Sequence, residues 1–133
     1  MKLLLDSHSL LWAVVQPRRL GSMAKKAIVS KGNEVAVSSV TFWEIALKHS
    51  LGKLELDGIS PQDLPEIAEE HAFIICPLSG RTAASFHRLP RIEAHRDPFA
   101  RMLVWQALEE GRTLVSRDRA MRDYEHLGLE LLW

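Results

Sequence analysis

Short apolar runs that alternate with helical segments are the feature that most constrains the fold of this chain. Runs dominated by Leu, Ile and Val are typical of strands that are buried on both faces of a sheet. Five such runs occur: 2–5 (KLLL), 34–38 (EVAVS), 73–78 (FIICPL), 113–116 (TLVS) and 129–132 (LELL). Because helical segments and short turns separate them, we predict a three-layer α/β/α fold around a central parallel sheet of four to five strands.

The segments between the strands have helical spacing and recognisable ends. Ser22 is the expected N-cap of the second helix, and either Ser39 or Thr41 that of the third. The predicted helices cover 7–15, 23–31, 39 or 41 to 51, 61–72, 79–89, 98–110 and a short segment from 119. No repeat, linker or low-complexity tract interrupts the 133 residues, so residues 1–133 are expected to form a single domain.

Charge and cysteine content limit the classes of function. Lys plus Arg and Asp plus Glu number 17 each, so a nucleic-acid surface requires local clustering of the basic side chains. The single cysteine, Cys76, permits no intramolecular disulfide and fits a reducing compartment. No apolar run approaches the ~20 residues that span a bilayer, and we find no signal peptide. We therefore expect a soluble cytoplasmic protein without a membrane segment.

Three aspartates lie where strands or loops lead into helices. Asp6 follows the first strand, Asp118 lies two residues after the TLVS run, and Asp97 stands directly before Pro98 at the start of the best-marked helix. Each can be read as a helix N-cap. Sites in parallel sheets form beyond the carboxyl ends of the strands, so Asp6 and Asp118 can equally belong to a site. The sequence leaves both interpretations open.

Glu44 differs from these aspartates because it lies inside a largely apolar helix, in the segment VTFWEIALKHSL. An exposed ion pair with Lys48, four residues later, is the alternative interpretation. A carboxylate near a core-facing stripe needs a partner, since an unpaired buried charge is costly. If the four acids converge, a divalent cation must offset their repulsion, and oxygen ligands favour Mg²⁺ or Mn²⁺. One Cys and six scattered His disfavour zinc.

Four segments of the sequence resemble the PIN domain, and in particular the ribonuclease toxins of VapBC-type bacterial toxin–antitoxin pairs. They are LLLDSHSLLW (3–12), VSSVTFWEIALKHSLGKL (37–54), HRDPFARMLVWQALEEGRTLVSRD (95–118) and the terminal hydrophobic segment. The resemblance implies an Mg²⁺- or Mn²⁺-dependent endoribonuclease site built from three or four acids. Asp6 matches the first acid of the family, Glu44 the second and Asp118 the fourth.

The third acid of the family pattern is missing from this sequence. Close relatives read Asp-Pro-Phe-Asp-Arg in this segment, and the second Asp of that motif is replaced here by Ala100. Asp97, one helical turn earlier, is retained. Three possibilities follow: Asp97 substitutes as a ligand, Asp6, Glu44 and Asp118 suffice, or Ala100 inactivates the enzyme as a natural or introduced change.

Basic residues flank the acid motifs and are candidates for contacts to substrate phosphate. They are Lys48, Arg91, His95, Arg96, Arg101 and Arg117, and we predict phosphate contacts for Lys48, Arg96, Arg101 and Arg117. For each of them singly, the alternative is a solvated surface position. For Arg101, a further alternative is a structural pairing with an acid of the cluster. The resemblance also implies RNA as substrate, a homodimer, and an antitoxin partner bound on helices 7–15, 22–31 and 40–51.

Two other functions compete with the metal-dependent endoribonuclease. A catalytically impaired PIN domain could serve as an antitoxin- or RNA-binding module. A phosphoryl-transfer enzyme could use Asp6 as a covalent nucleophile, but it would need a second acid at position 8, where this chain has His8.

Overall fold

A five-stranded parallel sheet forms the centre of the molecule, in the strand order β3-β2-β1-β4-β5. The computed structural model describes all residues, 1–133. The strands are β1 (Lys2–Leu5), β2 (Glu34–Ser38), β3 (Ile74–Cys76), β4 (Thr113–Val115) and β5 (Glu130–Leu132). The predicted three-layer α/β/α fold with a parallel sheet is confirmed, at the upper end of the expected strand number.

Alternation of side chains along β1 divides the core into two layers. Leu4 packs on one face of the sheet with residues of the sixth helix, such as Val104. Leu3 and Leu5 pack on the opposite face with Leu10. All three leucines of β1 are fully buried, because β1 is the middle strand and helices cover both faces.

Six α-helices and four 3₁₀ helices surround the sheet. The α-helices are α1 (Ser7–Val15), α2 (Ser22–Val29), α3 (Ser39–Ser50), α4 (Leu64–Glu70), α5 (Gly80–Ala84) and α6 (Pro98–Glu110). The 3₁₀ helices are Pro17–Arg19, Pro61–Asp63, Phe86–Arg88 and Arg119–Leu127. None of these helices combines the length and apolar character needed to cross a membrane.

The ends of several helices differ from the sequence-based predictions. Ser38, not Ser39 or Thr41, caps α3, and its hydroxyl accepts the Val40 N–H at 3.0 Å. The Ser39 hydroxyl instead accepts the backbone N–H of Leu78. Gly21 caps α2, which begins at Ser22. Segments 61–72 and 79–89, predicted as single helices, each divide into an α-helix and a 3₁₀ helix.

Cys76 is buried at the end of β3, where its thiol hydrogen-bonds to Glu110. Burial, and after it the hydrogen bond to Glu110, raises the pKa of this thiol to about 11. The thiol is therefore protonated at neutral pH, which suits a packing role better than a nucleophilic one.

Candidate active site

One cavity of about 420 Å³ contains all four predicted acids in its wall: Asp6, Glu44, Asp97 and Asp118. Asp6 follows β1 and Asp118 lies just beyond β4, so the parallel pairing of these strands brings the two aspartates to one edge of the sheet. Glu44 comes from α3, and Asp97 precedes α6. Residues that are far apart in the sequence thus meet at one place.

The three aspartates cap helices and line the cavity at the same time. In each, the Oδ1 atom accepts a backbone N–H: Asp6 from Ser9 at 2.9 Å, Asp97 from Phe99 at 3.1 Å and Asp118 from Ala120 at 3.0 Å. A cap occupies only one carboxylate oxygen and leaves the Oδ2 atom for another partner. Capping and ligation are therefore compatible roles for these residues.

Glu44 is buried, with a relative exposure of 7%, although it lies in a helix that faces the cavity. Its Oε1 atom accepts a hydrogen bond from the Ser7 hydroxyl, and its Oε2 atom forms an ion pair with the Lys48 ammonium. The predicted pair with Lys48 exists, but it is not the exposed pair of the alternative interpretation. Its carboxylate is held between two donors at the cavity wall.

The chemistry of this cavity fits a hard divalent cation. Its acidic donors are all carboxylate oxygens, the ligands that Mg²⁺ and Mn²⁺ prefer. No three His, Cys, Asp or Glu side chains are yet placed as closely as the ligands of a bound ion. Repulsion keeps carboxylates apart when no cation offsets it, and Mg²⁺ keeps several waters as ligands beside one or two carboxylates. The residues of the cavity therefore fit such an ion by the type of donor they offer.

Ala100 lies in the wall of the same cavity. It occupies the first turn of α6, three residues after the N-cap Asp97, and is half-buried. The position at which the family pattern has an acid thus shares a cavity wall with the four carboxylates of this chain.

The predicted basic residues divide into two groups. Lys48 and Arg117 line the acid cavity, whereas Arg96 and Arg101 lie outside its wall. Arg101 is held by groups of the protein itself. Its guanidinium is buried and donates to the carbonyls of Leu89 and Pro90 and to the Tyr124 hydroxyl, so it has a structural role.

Sequence reasoning did not place His8, Trp12 or Arg119 in the cavity wall, where the structure has them. Trp12 is a support for basic groups, because the guanidinium of Arg117 lies 5.1 Å from its ring centroid and that of Arg19 lies 5.0 Å away. His8 and Trp12 are four residues apart on α1, and their rings are 5.4 Å apart. That spacing, directly after Asp6, was the available signal.

Comparisons with known proteins identify the family of this chain. The sequence is 30% identical over 131 residues to a Mycobacterium tuberculosis protein named ribonuclease VapC22, covering 98% of this chain and 97% of that one. The fold is similar to VapBC2 from Rickettsia felis, solved bound to a DNA fragment from its promoter, with a TM-score of 0.64 and 14% identity over 98% of this chain and 97% of the other.

A second solved structure, of FitAB bound to an IR36 DNA fragment, has a TM-score of 0.58 and 18% identity over 97% of this chain and 92% of the other. The family model of the PIN domain matches residues 3–127, which include every acid of the cavity. This chain belongs to the PIN domain family.

Proposed function

We propose that this protein is a metal-dependent endoribonuclease and the toxin of a type II toxin–antitoxin system. The observation that carries the proposal is the convergence of Asp6, Glu44, Asp97 and Asp118 on one cavity that also contains Lys48 and arginines. Carboxylates that hold a cation, beside positive groups that bind phosphate, are the parts that phosphodiester hydrolysis requires. The name of the VapC22 relative supports RNA as the substrate.

Asp6, Glu44 and Asp118 would hold the divalent cation, with Asp97 as a further ligand. Mg²⁺ or Mn²⁺ is the ion we propose, because all of these donors are carboxylate oxygens. When bound, such an ion polarises a phosphate oxygen and lowers the pKa of a nearby water.

The other residues of the cavity bind and orient the substrate. Arg117 is exposed and rests on the Trp12 ring, which keeps its guanidinium at the cavity and available to a phosphate. Lys48 can neutralise a phosphate once a cation replaces it beside Glu44. A carboxylate oxygen that is free of the cation can accept a proton from the attacking water. We propose a product with a 5′ phosphate.

Exposed apolar side chains support a protein partner, which we propose to be a cognate antitoxin. Most of the large exposed hydrophobic residues lie on α1, α2 and α3: Val15, Met23, Val29, Trp43 and Leu47, with Leu51 at the end of α3. Trp43 is 62% exposed and Leu51 58% exposed, which is unusual for such residues. We also propose a homodimer, and a cytoplasmic location where RNA is accessible.

Cleavage of RNA by the purified protein tests the proposed function. We expect cleavage of a mixed RNA substrate in Mg²⁺ or Mn²⁺, complete loss of cleavage in excess EDTA, and recovery when the cation is restored. Reaction products are separated on denaturing gels, and their ends are mapped by phosphatase and ligation assays. Equal cleavage with and without EDTA would exclude the metal-dependent mechanism.

Replacing Asp97 with asparagine separates its capping role from its role as a ligand. Asparagine caps a helix about as well as aspartate, so the thermal midpoint of unfolding should stay within about 2 °C. Loss of the charge should weaken Mn²⁺ binding by roughly threefold to tenfold, because Asp97 is exposed and would share the ion with three other acids. Isothermal titration measures this change, and an unaltered Kd would leave Asp97 as a cap only.

A catalytically impaired module that binds an antitoxin or RNA is the second candidate function. Ala100 is the observation that favours it, because an apolar residue faces the carboxylates where an acid is expected. Such a module would bind RNA without cleaving it, in the presence or absence of Mn²⁺.

A further inference from the structure

The side chain of His95 contains a buried nitrogen that has no hydrogen-bond partner. Its side chain is buried, with 6% relative exposure, and its Nε2 atom is the one buried side-chain nitrogen or oxygen without a hydrogen-bond partner. A buried polar group that lacks a partner costs free energy, and such groups in folded proteins call for an explanation. The loop before α6 holds this imidazole in place in spite of that cost.

A chain of hydrogen bonds fixes the protonation pattern of the neutral imidazole. Arg101 Nη1 donates to the Tyr124 hydroxyl oxygen at 3.0 Å, because a guanidinium has no acceptor. The Tyr124 hydroxyl is fully buried and its only other hydrogen-bond partner is His95 Nδ1, 2.9 Å away, so its hydrogen can be used only if it points to that nitrogen. Nδ1 is therefore the acceptor, and the ring proton lies on Nε2.

The Nε2 atom lies beside Asp118, one of the acids in the wall of the cavity. Its nearest acidic neighbour is the Oδ2 atom of Asp118, at 3.6 Å. This distance is too long for a hydrogen bond, so a shift of roughly 0.6 Å would be needed to reach the usual separation of about 3 Å. The Oδ1 atom of Asp118 is already bound by the Ala120 N–H. Asp118 is thus fixed at one oxygen, while the other lies just short of a buried donor.

We propose that His95 is a positioning residue for Asp118. When the carboxylates draw together on a divalent cation, Asp118 Oδ2 accepts the Nε2–H of His95, and both of its oxygens are then oriented by donors. Arg101 and Tyr124 contribute by holding the imidazole in the tautomer that can donate. The inference rests on the proposed function for the identity of the cation site, and it assigns a role to three buried residues that do not touch the substrate.

Hydrogen bonds to the ligands of a metal typically change its affinity by about 10–100-fold when they are lost. Substitution of His95 by asparagine and by glutamine gives a matched pair. In His95→Asn the amide reaches Tyr124 in place of Nδ1 but ends short of Asp118. In His95→Gln the amide nitrogen extends to the place of Nε2. We expect His95→Asn to weaken Mn²⁺ binding by about tenfold or more, and His95→Gln to recover most of that loss.

Titration calorimetry with Mn²⁺ alone measures the affinities, and RNA cleavage gives a second readout in which kcat falls and KM is unchanged. Both variants remove the imidazole from the core, so a purely structural role predicts equal losses of thermal stability and equal effects on Mn²⁺ affinity. Equal Mn²⁺ affinities for His95→Asn and the unsubstituted protein would overturn the proposal.

A measurement on the unsubstituted protein keeps the proposal testable if the variants fold poorly. Nitrogen-15 NMR of the His95 imidazole distinguishes the two tautomers. We expect a protonated Nε2 for His95, and a mixture of tautomers in Tyr124→Phe. A proton on Nδ1 in the unsubstituted protein would refute the assignment. Mn²⁺ binding without RNA cleavage would contradict the proposed nuclease but leave the comparison of His95 variants valid.

Discussion

Replacing Ala100 with aspartate is expected to tighten Mn²⁺ binding by at least about tenfold, equivalent to roughly 1.4 kcal/mol, and to raise the rate of RNA cleavage by a larger factor. Ala100 lies in the wall of the cavity with four acids, so the new carboxylate adds an oxygen ligand where the family pattern has one. The position also tolerates the change, because an acid in the first turn of a helix interacts favourably with the helix dipole.

The same substitution should destabilise the metal-free protein. A fifth carboxylate in the cavity increases the repulsion among the acids that no cation offsets. We therefore expect Ala100→Asp to lower the thermal midpoint by a few degrees in EDTA and to increase the stabilisation that Mn²⁺ gives, since ligand binding to the native state raises its stability. A lower thermal midpoint in EDTA together with a larger stabilisation by Mn²⁺ would be characteristic of a metal ligand at position 100 and not of a packing defect.

Ala100→Asn is the matched control, because it has nearly the size of aspartate without the charge. It should leave the Mn²⁺ affinity near that of the unsubstituted chain. If Ala100→Asp creates cleavage that the unsubstituted protein lacks, the present chain is the impaired module and its fold is that of a nuclease. If Ala100→Asp leaves both Mn²⁺ affinity and cleavage unchanged, position 100 has no part in the site.

The sequence predicts the centre of this fold better than its periphery. Strands β1, β2 and β4 are apolar because both of their faces are covered, and that requirement is visible locally in KLLL, EVAVS and TLVS. The divisions at 61–72 and 79–89 were not predicted, since a one-turn 3₁₀ segment and an α-helix have similar hydrophobic spacing. The cap of α3 was misplaced because three hydroxyl residues stand within four positions, and tertiary contacts select among them.

The proximity of Asp6 and Asp118 was predictable because the ends of two strands determine where these acids lie. Asp6 and Asp118 follow neighbouring parallel strands, so their proximity follows from the topology alone. The surroundings of the basic residues were not predictable, since the flexible side chain of an arginine reaches several environments from one backbone position. Arg101 and Arg117 both flank acid motifs, yet one is buried among carbonyls and the other is exposed on Trp12. The number of residues between an arginine and an acid therefore does not tell whether the arginine is buried or exposed.

Replacing Glu44 with glutamine is expected to weaken Mn²⁺ binding by about 100-fold and to reduce RNA cleavage by at least as much, because the change removes one charge of a buried ligand. Glu44 is the only one of the four acids that is buried by its relative exposure, 7%. Attraction between a carboxylate and a cation is strongest where water is excluded, so its charge should contribute more than that of exposed Asp97.

Glutamine preserves the packing of this position while it removes the charge. Its side-chain carbonyl can still accept the Ser7 hydroxyl, whereas the ion pair with Lys48 is lost. Removal of one partner of a buried pair is costly, but Lys48 is only half-buried and can turn towards solvent, so the metal-free variant should stay folded. Isothermal titration with Mn²⁺ and thermal unfolding in EDTA measure the two effects separately.

Lys48→Met serves as the converse control for Glu44→Gln. It removes the ammonium that occupies Glu44 and leaves the carboxylate in place, so a cation no longer competes with lysine for the Oε2 atom. Mn²⁺ should then bind at least as tightly as to the unsubstituted protein, while RNA binding weakens through loss of a phosphate contact. If Glu44→Gln and Lys48→Met both weaken Mn²⁺ binding equally, Glu44 acts through its pair with Lys48 and is not a ligand. Opposite effects on Mn²⁺ affinity identify the carboxylate as the group that holds the ion.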